Sequence, residues 1–191
     1  MKTNRYKAIV MGGSVGSMEA LLEIFSGLPR NFRLPIIIVC HVHLHDNGGV
    51  VNFFRLQNPL NIKTADDKEP IRPGYIYFAP ANYHLLVEQD ETFSLTVDSK
   101  VNYSRPAIDV LFESAAFVYG EQLIGIVLTG ANHDGAKGIS CIKKMGGQTI
   151  AQNPDTAECP VMPLAAINTG DVDAILSIQQ IRGFIKLEVV S

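Results

Sequence analysis

Ser14, His41 and Asp134 lie far apart in the chain, yet they have the side-chain types of a hydrolytic triad. Ser14 stands in Met11-Gly12-Gly13-Ser14-Val15-Gly16-Ser17, a glycine-flanked turn between an apolar run and a helix-like run. A small hydroxyl residue on such a turn is held clear of the backbone, which suits a nucleophile. The position suits a helix N-cap or a phosphate loop as well, because the first N–H groups of the following helix point the same way. His41 ends a second apolar run, and Asp134 lies in Leu128-Thr129-Gly130-Ala131-Asn132-His133-Asp134-Gly135 after a later one. Serine is a weak nucleophile until an imidazole takes its proton. A buried carboxylate then fixes the imidazole tautomer and stabilises the imidazolium. Each residue also has a plainer use, since a strand-end histidine packs or hydrogen-bonds and Asp-Gly is a common turn. Glycines beside Ser14 and Asp134 would let backbone N–H groups approach a developing oxyanion.

Other chemistry is weaker. His41, His43 and His45 alternate and would share one face of a continuing strand, with Asp46 next in sequence. The residues around them read as loop, and neither an HExxH helix nor a matching distant pair accompanies them, so no metal is expected. Strand alternation turns Cys40 away from His41, as a small core residue rather than a nucleophile. The Gly12 to Ser17 loop lacks both GxGxxG and a GK[ST] ending, which weakens a nucleotide-binding reading. No cofactor is expected.

The elements that must position these residues alternate. Residues 6–11 read as a strand, 18–28 as a helix with apolar residues at helical spacing, 36–42 as a continuous buried strand and 50–56 as a short helix. Residues 66–99 carry turn punctuation between the strand-like pieces 75–79, 84–88 and 93–97, an antiparallel insertion of hairpin type. Alternation then resumes with a helix over 107–119, a strand over 123–129, a helix over 136–145, a strand over 148–152, a short helix over 162–168, a strand near 173–176 and a final helix. The expectation is a single α/β domain over 1–191, with a doubly wound, mostly parallel sheet and a hairpin insertion. In such a sheet, groups beyond the carboxyl ends of the strands converge, which is where Ser14, His41 and Asp134 fall.

Composition sets bounds. The chain has 191 residues, 47% of them hydrophobic and 18% charged, with a net charge of −3. A globular core follows, and with no basic cluster, nucleic acid and anionic membrane are poor partners. No apolar run is long enough to span a bilayer and no signal segment is visible, so direct membrane insertion is not expected. The three cysteines are odd in number and widely spaced, which points to reduced thiols and a cytoplasmic location.

Taken in order, these motifs resemble the catalytic domain of the chemotaxis receptor protein-glutamate methylesterases, the CheB family. The likeness runs through Gly12-Gly13-Ser14-Val15-Gly16-Ser17, Val39-Cys40-His41, the stretch from Ile71-Arg72-Pro73-Gly74 to Ala79-Pro80 with His84-Leu85, Arg105-Pro106-Ala107-Ile108-Asp109, Leu128 to Ala136, Met162-Pro163 and Val172-Asp173. The resemblance implies Ser14 as nucleophile, His41 as general base and acid, and Asp134 as its orienter. It implies oxyanion donors from Ala131 N–H and the turn at Val15, His84 as a polar neighbour of the site, and Arg105 as a residue shaping the substrate cleft. The implied reaction is hydrolysis of glutamate γ-methyl esters on chemoreceptor-type proteins with release of methanol, and glutamine deamidation as a companion. The implied partners are a methylated chemoreceptor or related signalling protein, and a separate regulator in place of the family's receiver domain, which is not expected because the chain begins at the catalytic strand. Val15 stands where the family has a threonine or other small residue, and Ser17 where it has a later glycine. Val42-His43 stands where Met-Pro is common, and Ala131 where methionine is common. These departures motivate the alternative of a weak or inactive CheB-like interaction module in a sensory complex.

Overall fold

The computed structural model describes residues 5–41 and 48–190. His43, His45 and Asp46 lie outside the described residues. The chain runs β1 (Ala8–Gly13), α1 (Ser17–Ser26), β2 (Ile36–Cys40), α2 (Gly49–Gln57), β3 (Asn61–Thr64), β4 (Tyr75–Phe78), β5 (His84–Val87), β6 (Phe93–Thr96), α3 (Ile108–Tyr119), β7 (Leu123–Val127), α4 (Ala136–Lys144), β8 (Gln148–Gln152), α5 (Val161–Ile167), β9 (Ala174–Leu176) and α6 (Ile178–Val190). Seven strands form one sheet in the order β3-β4-β2-β1-β7-β8-β9, every pairing parallel, and β5 and β6 form a separate antiparallel hairpin. No helix among the described residues is long and apolar enough to cross a membrane.

Strand alternation divides the core. Ile9 and Met11 of β1 face a layer with Ile24, Phe25, Phe54, Ile181 and Ile185, from α1, α2 and α6. Ala8 and Val10 face Leu111, Phe112, Ile139, Ile142 and Met162, from α3, α4 and α5. With both faces covered, β1, β2 and β7 are buried at every position, which explains their unbroken apolar runs. Each such isoleucine or leucine contributes about 1.5–3 kcal/mol by leaving water.

Two elements differ from the sequence expectation. Residues 75–79 do not belong to the hairpin insertion, because Tyr75–Phe78 is a parallel strand between β3 and β2. Its run Tyr-Ile-Tyr-Phe is buried on both faces, the mark of an interior parallel strand. The edge strand β3 has no counterpart in the sequence reading. Only Ile62 of its four residues is buried, so it carries little periodic signal. The hairpin stays close to the sheet through Phe93, whose ring meets Tyr77 edge-on at 4.8 Å, and it leans on α3 through Val87 N–H donating to Ser114 Oγ at 3.1 Å.

The strand order turns outward in both directions from β1, to β2 on one side and to β7 on the other, with the crossover helices on opposite faces. The carboxyl ends of β1 and β7 thus open the crevice where such folds bind ligands. Gly12 sets how tightly that end closes. A Cβ there would lie 2.3 Å from Ile108 Cγ2, so the lack of a side chain lets the first residue of α3 rest on β1.

Candidate active site

Ser14 begins the turn from β1 into α1. Its N–H donates to Thr129 O at 2.9 Å, and its carbonyl accepts Ser17 N–H at 3.0 Å and Ser17 Oγ at 2.6 Å. Gly16 takes φ 78 and is the N-cap of α1, which has no side-chain cap. Ser14 is therefore not the N-cap, and among the described residues its hydroxyl has no hydrogen-bond partner. The hydroxyl proton of Ser17 goes to Ser14 O, so the buried Cys40 thiol, 3.0 Å from Ser17 Oγ, acts as donor there. Cys40 supports the turn from beneath as part of the core.

Thr129 fastens the turn to the end of β7. Its Oγ1 donates toward Val15 O at 2.9 Å and Cys159 O at 3.2 Å and accepts Cys159 N–H at 2.9 Å, while its own N–H reaches Gln152 Oε1 at 2.8 Å. Among the described residues no acceptor takes the N–H of Val15 or of Ala131. Both belong to the two loops on either side of Ser14, and Val15 is half exposed.

His41 extends the β1–β2 ladder by one rung, its N–H donating to Gly13 O at 3.1 Å. Its Nε2 lies 2.9 Å from Asp134 Oδ2, with 13% of the imidazole side chain exposed and none of the carboxylate. Asp134 takes three further donors: Ile108 N–H at 2.7 Å, Asp109 N–H at 3.1 Å and Asn102 Nδ2 at 2.7 Å. Burial alone would raise its pKa. The bonds from His41, Ile108, Asn102 and Asp109 outweigh that and hold its carboxyl below the usual range.

Asp109 mirrors this arrangement. Asp134, just before α4, accepts the first N–H groups of α3. Asp109, in the first turn of α3, accepts Gly135 N–H at 2.9 Å and Gly138 N–H at 2.8 Å at the start of α4. Two helix N-termini thus each receive the carboxylate of the other, with the favourable charge–dipole sign in both directions. Asn102 Nδ2 lies between the acids, 2.7 Å from Asp109 Oδ2 and 2.7 Å from Asp134 Oδ1. Burial, reinforced by the neighbouring Asp134 charge, pushes the Asp109 carboxyl above its usual range against the bonds from Gly138, Asn102 and Gly135. Asp134 is the more readily ionised of the two.

His84 and Arg105 are tied elsewhere. The buried His84 ring accepts Ala107 N–H on Nδ1 at 3.2 Å, and its Nε2 lies 3.1 Å from Ser99 O, so both nitrogens brace the segment leading into α3. Arg105 donates to Val97 O at 2.6 Å, Asp98 O at 3.0 Å and Asn82 Oδ1 at 2.8 Å, which clamps the hairpin to the same segment. Sequence reasoning missed Asn102, the role of Asp109, and Asn132, whose Nδ2 lies 3.3 Å from His41 Nδ1. An acid in the first turn of α3 facing an Asp-Gly at the start of α4 was the available signal for Asp109.

The CheB methylesterase family model matches residues 9–185. A Leptospira interrogans protein named "Putative protein-glutamate methylesterase/protein-glutamine glutaminase" is 47% identical over 187 residues, 96% of this chain and 95% of that protein. A Clostridium acetobutylicum protein-glutamate methylesterase/protein-glutamine glutaminase is 31% identical over 95% of this chain, which spans 52% of that longer relative. The crystal structure of the Thermotoga maritima CheB methylesterase catalytic domain superposes with a TM-score of 0.91 at 32% identity, covering 95% of this chain and 98% of that one.

Proposed function

The chain belongs to the CheB methylesterase family, and from that premise we propose that Ser14, His41 and Asp134 hydrolyse glutamate γ-methyl esters on a chemoreceptor-type protein. The observation that carries this reading is the His41 Nε2–Asp134 Oδ2 contact of 2.9 Å, made beneath the α3 N-terminus, with Ser14 on the neighbouring strand end. An ionised Asp134 holds the proton on Nε2 and leaves Nδ1 as the basic nitrogen available to Ser14.

Ser14 Oγ attacks the ester carbonyl as its proton passes to Nδ1, and Asp134 balances the imidazolium charge. The carbonyl oxygen becomes an oxyanion that the N–H groups of Val15 and Ala131 receive, both unclaimed within the described chain. Collapse breaks the ester C–O bond, the imidazolium returns its proton to the methoxy oxygen, and methanol leaves. Water, deprotonated by the same nitrogen, attacks the acyl-serine and frees a glutamate carboxylate and the Ser14 hydroxyl. With a glutamine side chain the same steps release ammonia. Arg105 and His84 act through position, fixing the hairpin and the entry to α3 as one wall of the cleft.

The test is methanol release from a methylated receptor fragment. Ser14→Ala is expected to lose activity by on the order of 10⁴-fold or more. Equal rates in wild type and variant would sink the reading and favour the interaction module, above all if wild-type Ser14 also resists a serine-directed phosphonate while receptor binding persists.

A further inference from the structure

The nitrogen that should receive the serine proton already has a neighbour. Asn132 Nδ2 lies 3.3 Å from His41 Nδ1, and Asn132 Oδ1 accepts Asp134 N–H at 3.0 Å. A backbone N–H only donates, so Oδ1 is assigned by its partner and the amide NH₂ faces the ring. On the far side of the ring the Asp134 carboxylate only accepts, which puts the imidazole proton on Nε2 and a lone pair on Nδ1. The Asn132 amide therefore donates into the lone pair that Ser14 needs.

We propose that Asn132 is a place-holder on the catalytic base: it holds the His41 ring in the tautomer with its proton on Nε2 and keeps Nδ1 from Ser14 until the Asn132 side chain swings aside. The inference rests on the serine-esterase reading above. A donor facing Nδ1 occupies the lone pair that would accept the Ser14 proton, so that transfer is blocked while the amide stays. The Ser14 hydroxyl, which has no partner among the described residues, is the other half of the same arrangement. At 3.3 Å the contact is at the long, weak end for a hydrogen bond and is displaceable. The Asn132 side chain has room to swing without moving Asp134, since Ala131 and His133 on either side of it are exposed and Asn132 is only half buried.

Asn132→Ala and Asn132→Asp test this in opposite directions. Asn132→Ala removes the donor and should raise the rate of Ser14 labelling by a fluorophosphonate about 3–10-fold, the equivalent of one ordinary hydrogen bond. Asn132→Asp keeps an acceptor for Asp134 N–H but presents oxygen to Nδ1, which favours a proton there, so labelling at neutral pH should fall below wild type. Nitrogen-15 spectra of the His41 ring read the contact without any turnover. In Asn132→Ala the Nδ1 resonance should move toward that of a free imine nitrogen, and in Asn132→Asp toward that of a protonated one. An unmoved Nδ1 resonance in Asn132→Ala, or slower labelling in both variants, overturns the proposal. A wild type inert to both phosphonate and methylated receptor overturns the esterase reading instead, and the ring-nitrogen spectra then still decide whether Asn132 holds Nδ1.

Discussion

The two ends of the parallel sheet treat buried polar groups in opposite ways. At the carboxyl end, Ser17, Asp109, Thr129, Asp134 and Gln152 are all buried and all hydrogen-bonded, several of them to one another's loops. At the amino end, Tyr6, Leu34, Ile71 and Tyr119 surround a cavity of about 400 Å³ whose rim carries the Lys7–Glu91 ion pair. There the Tyr119 hydroxyl is buried with no partner among the described residues. A buried polar group costs free energy unless it is paired. The carboxyl end meets that cost with a connected network that fixes the orientation of one imidazole, and the amino end leaves the Tyr119 hydroxyl outside any such network.

Three substitutions test this contrast. The largest effect belongs to Asp134→Asn, which keeps the volume but removes the charge that fixes the His41 tautomer. Turnover of methylated receptor should fall on the order of 10⁴-fold with the fold retained, as judged by circular dichroism. A loss under tenfold would mean that the network is structural and not catalytic.

Asn102→Gly should come next. Asn102 sits at φ 51, a backbone angle that glycine adopts freely, so the change isolates the side chain. Without the shared donor, two buried carboxylates face each other. Urea unfolding at pH 7 should show a loss of about 2–4 kcal/mol. The sign of the pH dependence follows from Asp109. Its pKa, already raised in the fold, rises further in the variant, so the folded state holds more protons than the unfolded chain and stability falls as pH rises. The deficit should therefore be smaller at pH 5 than at pH 7, and a deficit independent of pH would assign it to lost packing alone. Asp134 has the opposite slope. Its lowered pKa contributes stability that is present above the ordinary aspartate value and lost as pH falls through the folded one.

The smallest effect has the reverse sign. Tyr119→Phe removes the orphan hydroxyl and should stabilise the protein by about 1 kcal/mol, read as a Tm rise of about 2–4 °C, with esterase activity unchanged. A destabilised variant would mean that the hydroxyl has a partner in solution.

The sequence made the central sheet legible because β1, β2 and β7 are buried on both faces and therefore read as unbroken apolar runs. The same rule covers residues 75–78, an unbroken apolar run that lies inside the main sheet. β3 was illegible because an edge strand with one buried residue imposes little on its sequence. Ser14, His41 and Asp134 stood out because each follows such a run. Asn102, Asp109 and Asn132 did not, since their importance lies in partners 7 to 91 positions away and their residue types are ordinary for turns and helix starts. His84 and Arg105 show the converse. Their types invite a polar role, and only the fold reveals that backbone groups take both His84 nitrogens while two carbonyls and the Asn82 side chain take the Arg105 guanidinium.

The exchange of carboxylates between the starts of α3 and α4 has a practical consequence. The amide protons of Ile108, Asp109, Gly135 and Gly138 all end on Asp134 or Asp109. Their exchange with deuterated solvent therefore gauges whether the acid behind His41 is in place, with no substrate present. Storage damage, a destabilising variant or a bound regulator that disturbs this corner would register at those four amides before any loss of turnover is assayed.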